Sequence, residues 1–143
     1  MTAKEYLSDI VKIDKRIDRM LDLRQEYMAK ATRVTSCPSF TPKTKGNHSS
    51  PMENFVAKLI DLEKEIDREV DELIDRKRAA KRVIESLADS RYRDILEMRY
   101  FHGRKWERIM EDMGYERSQT YRLHGFALRE FQRKADEIGL LIS

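Results

Sequence analysis

The side chains best suited to gripping another molecule lie between residues 117 and 134, where Arg117, Arg122, Arg129, Arg133 and Lys134 meet a single acid, Glu130. Five basic groups against one acidic group leave a local surplus larger than the net charge of +3 carried by all 143 residues. The chemistry these types offer is recognition. A guanidinium makes a bidentate contact to guanine, the Gln119 amide suits adenine, and the Ser118 and Tyr121 hydroxyls reach phosphate. Arg129 and Arg133, farther along, suit the sugar-phosphate backbone. Reactive chemistry has no comparable constellation. His48, His102 and His124 are scattered, Cys37 is the only cysteine, and neither a Gly-rich phosphate loop nor a nucleophile elbow occurs. Acid-rich stretches such as Asp61 to Glu69 and Glu111-Asp112 have the form of solvated helix faces. The expectation is a binding protein and not an enzyme, with no catalytic residue, no metal and no cofactor.

To display those residues the chain needs a helix from Glu116 or Arg117 through Phe131 and beyond. With Thr120, Leu123, Ala127, Leu128 and Phe131 turned inward, Arg117, Ser118, Gln119, Tyr121 and Arg122 turn outward. A short helix precedes it, Trp106 to Met113, closed by Gly114, a residue suited to a left-handed cap. Trp106, Ile109, Met110 and Met113 are its expected core contacts, with Trp106 and the methionines as fillers. Another helix, Arg91 to Phe101, ends at His102-Gly103, and Ala88-Asp89-Ser90 offers it an N-cap. Two helices joined by a tight Gly-containing turn, the second one basic, outline a helix-turn-helix with its second helix in the major groove. His124, on that helix, is expected to be half-buried.

The N-terminal part reads differently. Tyr6, Ile10, Ile13, Ile17, Met20, Arg24, Tyr27 and Ala31 recur in alternating fours and threes, as do Phe55, Leu59, Leu62, Ile66, Glu69, Leu73, Arg76, Ala80, Val83 and Leu87. Heptads of this kind predict helices over about 3–32 and 52–86, joined by a loop over 33–52 that holds all three prolines. The prediction is an antiparallel coiled-coil hairpin over 1–87, followed by a three-helix module over 88–143. If the chain turns near residue 42, Arg24 falls near Asp61 or Glu65, and Glu69 near Arg16. Leu7, Val11, Leu21, Val56, Ile60, Val70 and Ile74 widen the apolar stripe beyond what two helices cover. A homodimer or another helix is needed over them.

Composition agrees with an all-α fold, because five glycines and three prolines in a chain with 38% charged residues suit long helices. A lone cysteine and the lack of a leader or a long apolar run point to the cytoplasm and to no membrane partner.

The stretch from Arg91 to Tyr115 resembles region 4 of sigma-70-family factors, a likeness that covers about residues 84–131. Over most of its length the chain is similar to a family of short phage and prophage proteins of Gram-positive bacteria. The shared signature stands here as Met98-Arg99-Tyr100, Trp106 to Ile109 and Tyr121 to His124. The resemblance implies a sigma-like helix-turn-helix that binds double-stranded DNA, contact with RNA polymerase, and regulation of phage or prophage genes in a bacterial host. Two positions depart from the pattern. Glu116 replaces the usual Ser or Thr cap, and Thr120 replaces Val or Ile. The other sigma regions are lacking, which favours an activator or accessory protein over a complete sigma factor. The competing reading is a phage assembly or packaging protein that oligomerises through the hairpin and binds DNA without sequence preference.

Overall fold

The computed structural model describes residues 1–35 and 51–141. The fold is all-α, with no strand among the described residues. Its elements are α1 (Ala3–Thr35), α2 (Pro51–Glu85), α3 (Ser90–Leu96) running into a π-helical turn (Glu97–Phe101), α4 (Trp106–Met113) and α5 (Arg117–Glu137). The two long helices outrun the predicted loop bounds at both ends, since α1 continues to Thr35 and Pro51 already opens α2. A proline fits there because the first helical residue needs no intrahelical N–H partner. The remaining loop, with Cys37, Lys43, Lys45 and His48, lies outside the described residues. No helix among those described is long and apolar enough to cross a membrane.

Contacts divide the chain into two compact units, residues 15–72 and a second made of residues 1–14 with those from 73 onward. In the first, Ile17, Leu62 and Ile66 are buried, and Met20, Tyr27, Phe55 and Leu59 are half-buried. Arg16 pairs with Glu69 at 2.9 Å and Arg24 with Glu63 at 3.5 Å, so rising numbers on α1 meet falling numbers on α2 and the segments run antiparallel. The Arg16–Glu69 pair is the expected one. For Arg24 the expectation needs correction, because Glu63, and not Asp61 or Glu65, takes the guanidinium. Register sets only the level along the helix; the flank is set by angle. Asp61 and Glu65 line a shallow cleft with Leu23, Tyr27 and Lys58 on the other flank. Exposed pairs of this kind contribute about 0–1 kcal/mol each, so they specify alignment more than stability.

The second unit holds the main core. Leu7, Ile10, Ala80, Val83, Ile84 and Leu87 share one buried cluster with Ile95, Leu96, Tyr100, Ile109, Leu123, Ala127, Phe131 and Ala135. The change of pattern after Leu87 is therefore a change of local structure inside a continuous core. Leu7 is buried in this cluster and Val11 packs against it, so part of the surplus stripe is covered within the chain. Val56, Ile60 and Ile74 stay exposed. The Ala3 N–H donates to the Gln132 side chain at 2.6 Å, tying the start of α1 to α5.

The connection into α3 is set by polar contacts. The Asp89 carboxylate caps the helix by accepting the Arg91 N–H at 2.9 Å and pairs with the Arg91 guanidinium at 2.8 Å. These hydrogen bonds from Arg91 hold the carboxyl below the usual carboxylate range. Arg93 donates to the Leu87 carbonyl, satisfying the end of the preceding segment. The helix predicted over Arg91 to Phe101 is α-helical only to Leu96, and its last turn widens into the π form.

Leu7→Ala should lower stability by about 2–5 kcal/mol, because Leu7 is fully buried and its loss opens a cavity that neighbours from several helices cannot all fill. Leu23→Ala, at a position 36% exposed, should change it by less than about 1 kcal/mol. Thermal and urea melts check the pair, and equal losses at both sites would contradict this core.

Candidate nucleic-acid interface

α4 and α5 are joined by three residues, and the geometry of that turn is set by Gly114. Its φ of 69° and ψ of 30° are left-handed, while its N–H and that of Tyr115 both donate to the Met110 carbonyl at 2.9 and 3.1 Å. An added Cβ would meet nothing within 4 Å, so the dihedral angle and not space calls for glycine. Ile109 is buried on the inner face of α4, and Met110 and Met113 are half-buried. Arg104 and Arg108 both pair with Asp112, at 2.6 and 3.3 Å, and stiffen its outer side.

α5 opens with a reciprocal cap. The Glu116 carboxylate accepts the Gln119 N–H, and the Gln119 side-chain oxygen accepts the Glu116 N–H at 3.3 Å. Glu116 thus fills the position where Ser or Thr is usual, by the same logic of satisfying free N–H groups. Thr120 is explained as well. It is buried, and its hydroxyl donates to the Glu116 carbonyl at 2.9 Å, so a polar group occupies an apolar position without being orphaned.

The inner face of α5 is Thr120, Leu123, His124, Ala127, Phe131 and Ala135. At about 100° per residue the opposite face carries Ser118, Arg122, Gly125, Phe126, Arg129 and Arg133. All seven predicted contact residues, Arg117, Ser118, Gln119, Tyr121, Arg122, Arg129 and Arg133, are exposed. Exposure does not make them equivalent. Arg117 and Tyr121 sit on the flank, where the Tyr121 ring meets Trp106 edge-on at 5.1 Å. Gln119 is occupied by the cap, and with Arg91, Tyr92, Tyr115, Arg122, Leu123 and Phe126 it lines a groove beside α3. Arg133 is held by Glu130 and Glu137, each at 3.0 Å. Asp136 and Glu137 in the last turn reduce the charge surplus counted over 117–134. Arg122 and Arg129 remain without an ion pair among the described residues.

Two members of the outward face are hidden by residue type. Phe126 is 42% exposed although an aromatic residue is ordinarily read inward, and Gly125 announces no contact at all. The only sequence signal for either was spacing from Arg122 and Arg129.

Behind the interface lies a cluster joining α4 to α5. Trp106 is half-buried and packs against the core as expected; the Arg99 guanidinium lies 4.5 Å from the centre of its ring, and His124 packs edge-on at 4.7 Å. Arg99 is also anchored through the Arg104 carbonyl at 3.0 Å. The Tyr100 hydroxyl lies 2.8 Å from His124 Nε2. His124 is more deeply buried than expected, and burial, followed by the nearby charges of Lys4 and Arg99, lowers its pKa to about 4. Its imidazole is neutral at pH 7, so it adds no positive charge to this part of α5. Burial likewise pushes the Tyr100 phenol up to about 12.

The model of a family described as a protein of unknown function (DUF1492) matches residues 33–132, a span that includes α2 to α4 and most of α5. No curated protein and no solved structure matches the chain.

Two outcomes follow from this geometry. Gln119→Ala should cost about 0.5–2 kcal/mol by removing one half of the cap, although the side chain is exposed. Thermal melts check it, with Ser118→Ala as the control expected to leave the midpoint nearly unchanged.

His124 should make stability fall with acid. Its folded pKa lies below the unfolded value, so its contribution is complete above about pH 6.5 and is lost as the pH falls toward 4, when the unfolded chain takes up the proton first. Between pH 7 and 5 the loss is on the order of 2 kcal/mol. Melts of the wild type and His124→Gln at both pH values measure it, and an unchanged difference between the two proteins would contradict the assignment.

Proposed function

The chain belongs to that family of unknown function, and on that premise we propose that it is a sequence-specific DNA-binding regulator of transcription. In this reading α4, the Gly114 turn and α5 form a helix-turn-helix that places α5 in the major groove of double-stranded DNA. The observation that carries it is the outward face of α5. Arg122 and Arg129 project there without intramolecular ion pairs among the described residues, on a helix whose rotation the core determines.

Roles on that face follow from position. Arg122, in the second turn and close to the helix start, reads a base edge, with guanine as its preferred partner. Ser118 and Arg117 bind phosphate on either side. Arg129, two turns later, meets the backbone as it rises past the helix. Tyr121, braced by Trp106, is a rigid phosphate contact. The resemblance to sigma region 4 and to phage proteins supports phage or prophage genes as targets and RNA polymerase as a second partner. A symmetric pair of copies would present two such helices to two half-sites. Val56 and Ile60 are apolar side chains open to such pairing.

Fluorescence anisotropy on a duplex selected from the parent genome and on random duplex tests the reading. Arg122→Ala should lose roughly 1–3 kcal/mol of preference for the selected site while its melting is unchanged. Arg129→Ala should weaken both duplexes alike and flatten the salt dependence. Arg133→Ala should change little, because its charge is already balanced. Equal losses for Arg122→Ala on both duplexes would favour the packaging reading, and no binding by the wild type at low salt would end both.

A further inference from the structure

Arg122, Gly125, Phe126 and Arg129 stand at i, i+3, i+4 and i+7 on the face of α5 opposite its buried stripe. The same spacing recurs among the base-contacting residues of a helix laid in the major groove. Two of the four are unusual for a solvated helix surface. Phe126 leaves 42% of its surface open at the middle of this face, with the Arg129 guanidinium 5.7 Å from its ring centre. Gly125 lies in the interior of a 21-residue helix, where glycine costs roughly 1 kcal/mol relative to alanine. Nothing among the described residues requires it. A Cβ at Gly125 would meet no atom within 4 Å, and its φ is not in the left-handed region.

A glycine that no contact among the described residues demands, beside an aromatic ring left 42% exposed, suits a surface that another molecule approaches closely. Resting on the DNA reading above, the occupant is the major groove. There the one apolar group on a base edge is the C5-methyl of thymine. Phe126 has no donor or acceptor, so a methyl contact is the only base readout open to it.

We propose that Phe126 reads a thymine methyl group, and that Gly125 leaves the helix surface bare so that α5 can come close enough for it to do so. Arg122 lies one turn earlier, about 6 Å along the axis. With base pairs about 3.4 Å apart, the thymine falls within about two base pairs of the guanine bound by Arg122. Arg129, whose guanidinium lies 5.7 Å from the ring centre, keeps its charge toward phosphate. The recognition sequence is therefore part polar and part apolar.

The test is selection of bound duplexes from a random 20-base-pair library by the full chain and by Phe126→Ala, followed by replacement of the selected thymine with uracil, which lacks only the methyl. The wild type should enrich thymine at one position close to a guanine, and uracil there should weaken its binding about fourfold. Phe126→Ala should enrich no particular base at that position and respond equally to thymine and uracil. Gly125→Ala should raise the melting temperature while weakening the selected duplex several-fold. The uracil arm uses only the wild-type protein and so does not depend on any variant folding. Specific binding by the wild type with no response to uracil overturns this inference and leaves the regulator reading standing. An unchanged thymine preference in Phe126→Ala, accompanied by altered self-association, makes the ring a protein contact and also overturns it. No duplex binding by the wild type overturns both.

Discussion

The burial of Thr120, Leu123, His124, Ala127, Phe131 and Ala135 fixes the rotation of α5 about its own axis. Side chains leave a helix at set angles, so once one stripe is committed to the core the opposite stripe has no freedom in what it displays. Phe131 and Ala127 are fully buried among residues from α1, α2 and α3. Rolling α5 by even one residue would bring Arg122 or Gly125 against that core, at the cost of burying a charge or opening a void. The outward set is thus held by packing on the far side of the helix.

The same constraint sorts the basic residues. By composition α5 has five cations, yet position decides which of them are available. Arg133 stands three residues after Glu130 and four before Glu137, spacings at which helical side chains meet, and its charge is spent locally. Arg122 has Ser118 and Phe126 at those distances and finds no acid. Among the described residues, unpaired positive charge on the outward face therefore lies on Arg122 and Arg129, within the first four turns of α5. Those turns also follow the Gly114 turn, where α4 holds them.

Aromatic packing joins the backbone hydrogen bonds of the Gly114 turn in bracing that junction. Trp106 opens α4, and its ring meets Tyr121 and His124 of α5 while Arg99 covers it from the π-helical turn. One large side chain thus touches three neighbours and fixes the angle between two helices, an arrangement in which flat rings with little rotamer freedom lose little entropy. His124 takes part as a neutral ring, because the desolvation that makes it a good packing partner suppresses its proton. A histidine on this helix is structural for the same reason that it is uncharged.

By itself the sequence determined the helices and their faces. Heptad spacing placed both long helices and their seam, and the N-cap Asp89, the stop at Gly114 and the inward set from Thr120 to Phe131 were readable, because each depends on residues within a few turns of one another. The exposed residues of α5 followed from that inward set. Tertiary structure decided what depends on angle and on distant partners. Arg24 reached Glu63 because the flank of a seam is not visible in register alone. Gln119 was drawn into a cap with Glu116, and Arg133 into pairs that composition counts as free charge. Leu7 found its cover among residues about 70 to 130 positions later in the chain, and Trp106, packed against the core, also came to meet Arg99, Tyr121 and His124. Phe126 and Gly125 became meaningful only when the opposite face of α5 was buried, since an aromatic residue and a glycine say nothing of their direction until the helix that carries them has been given one.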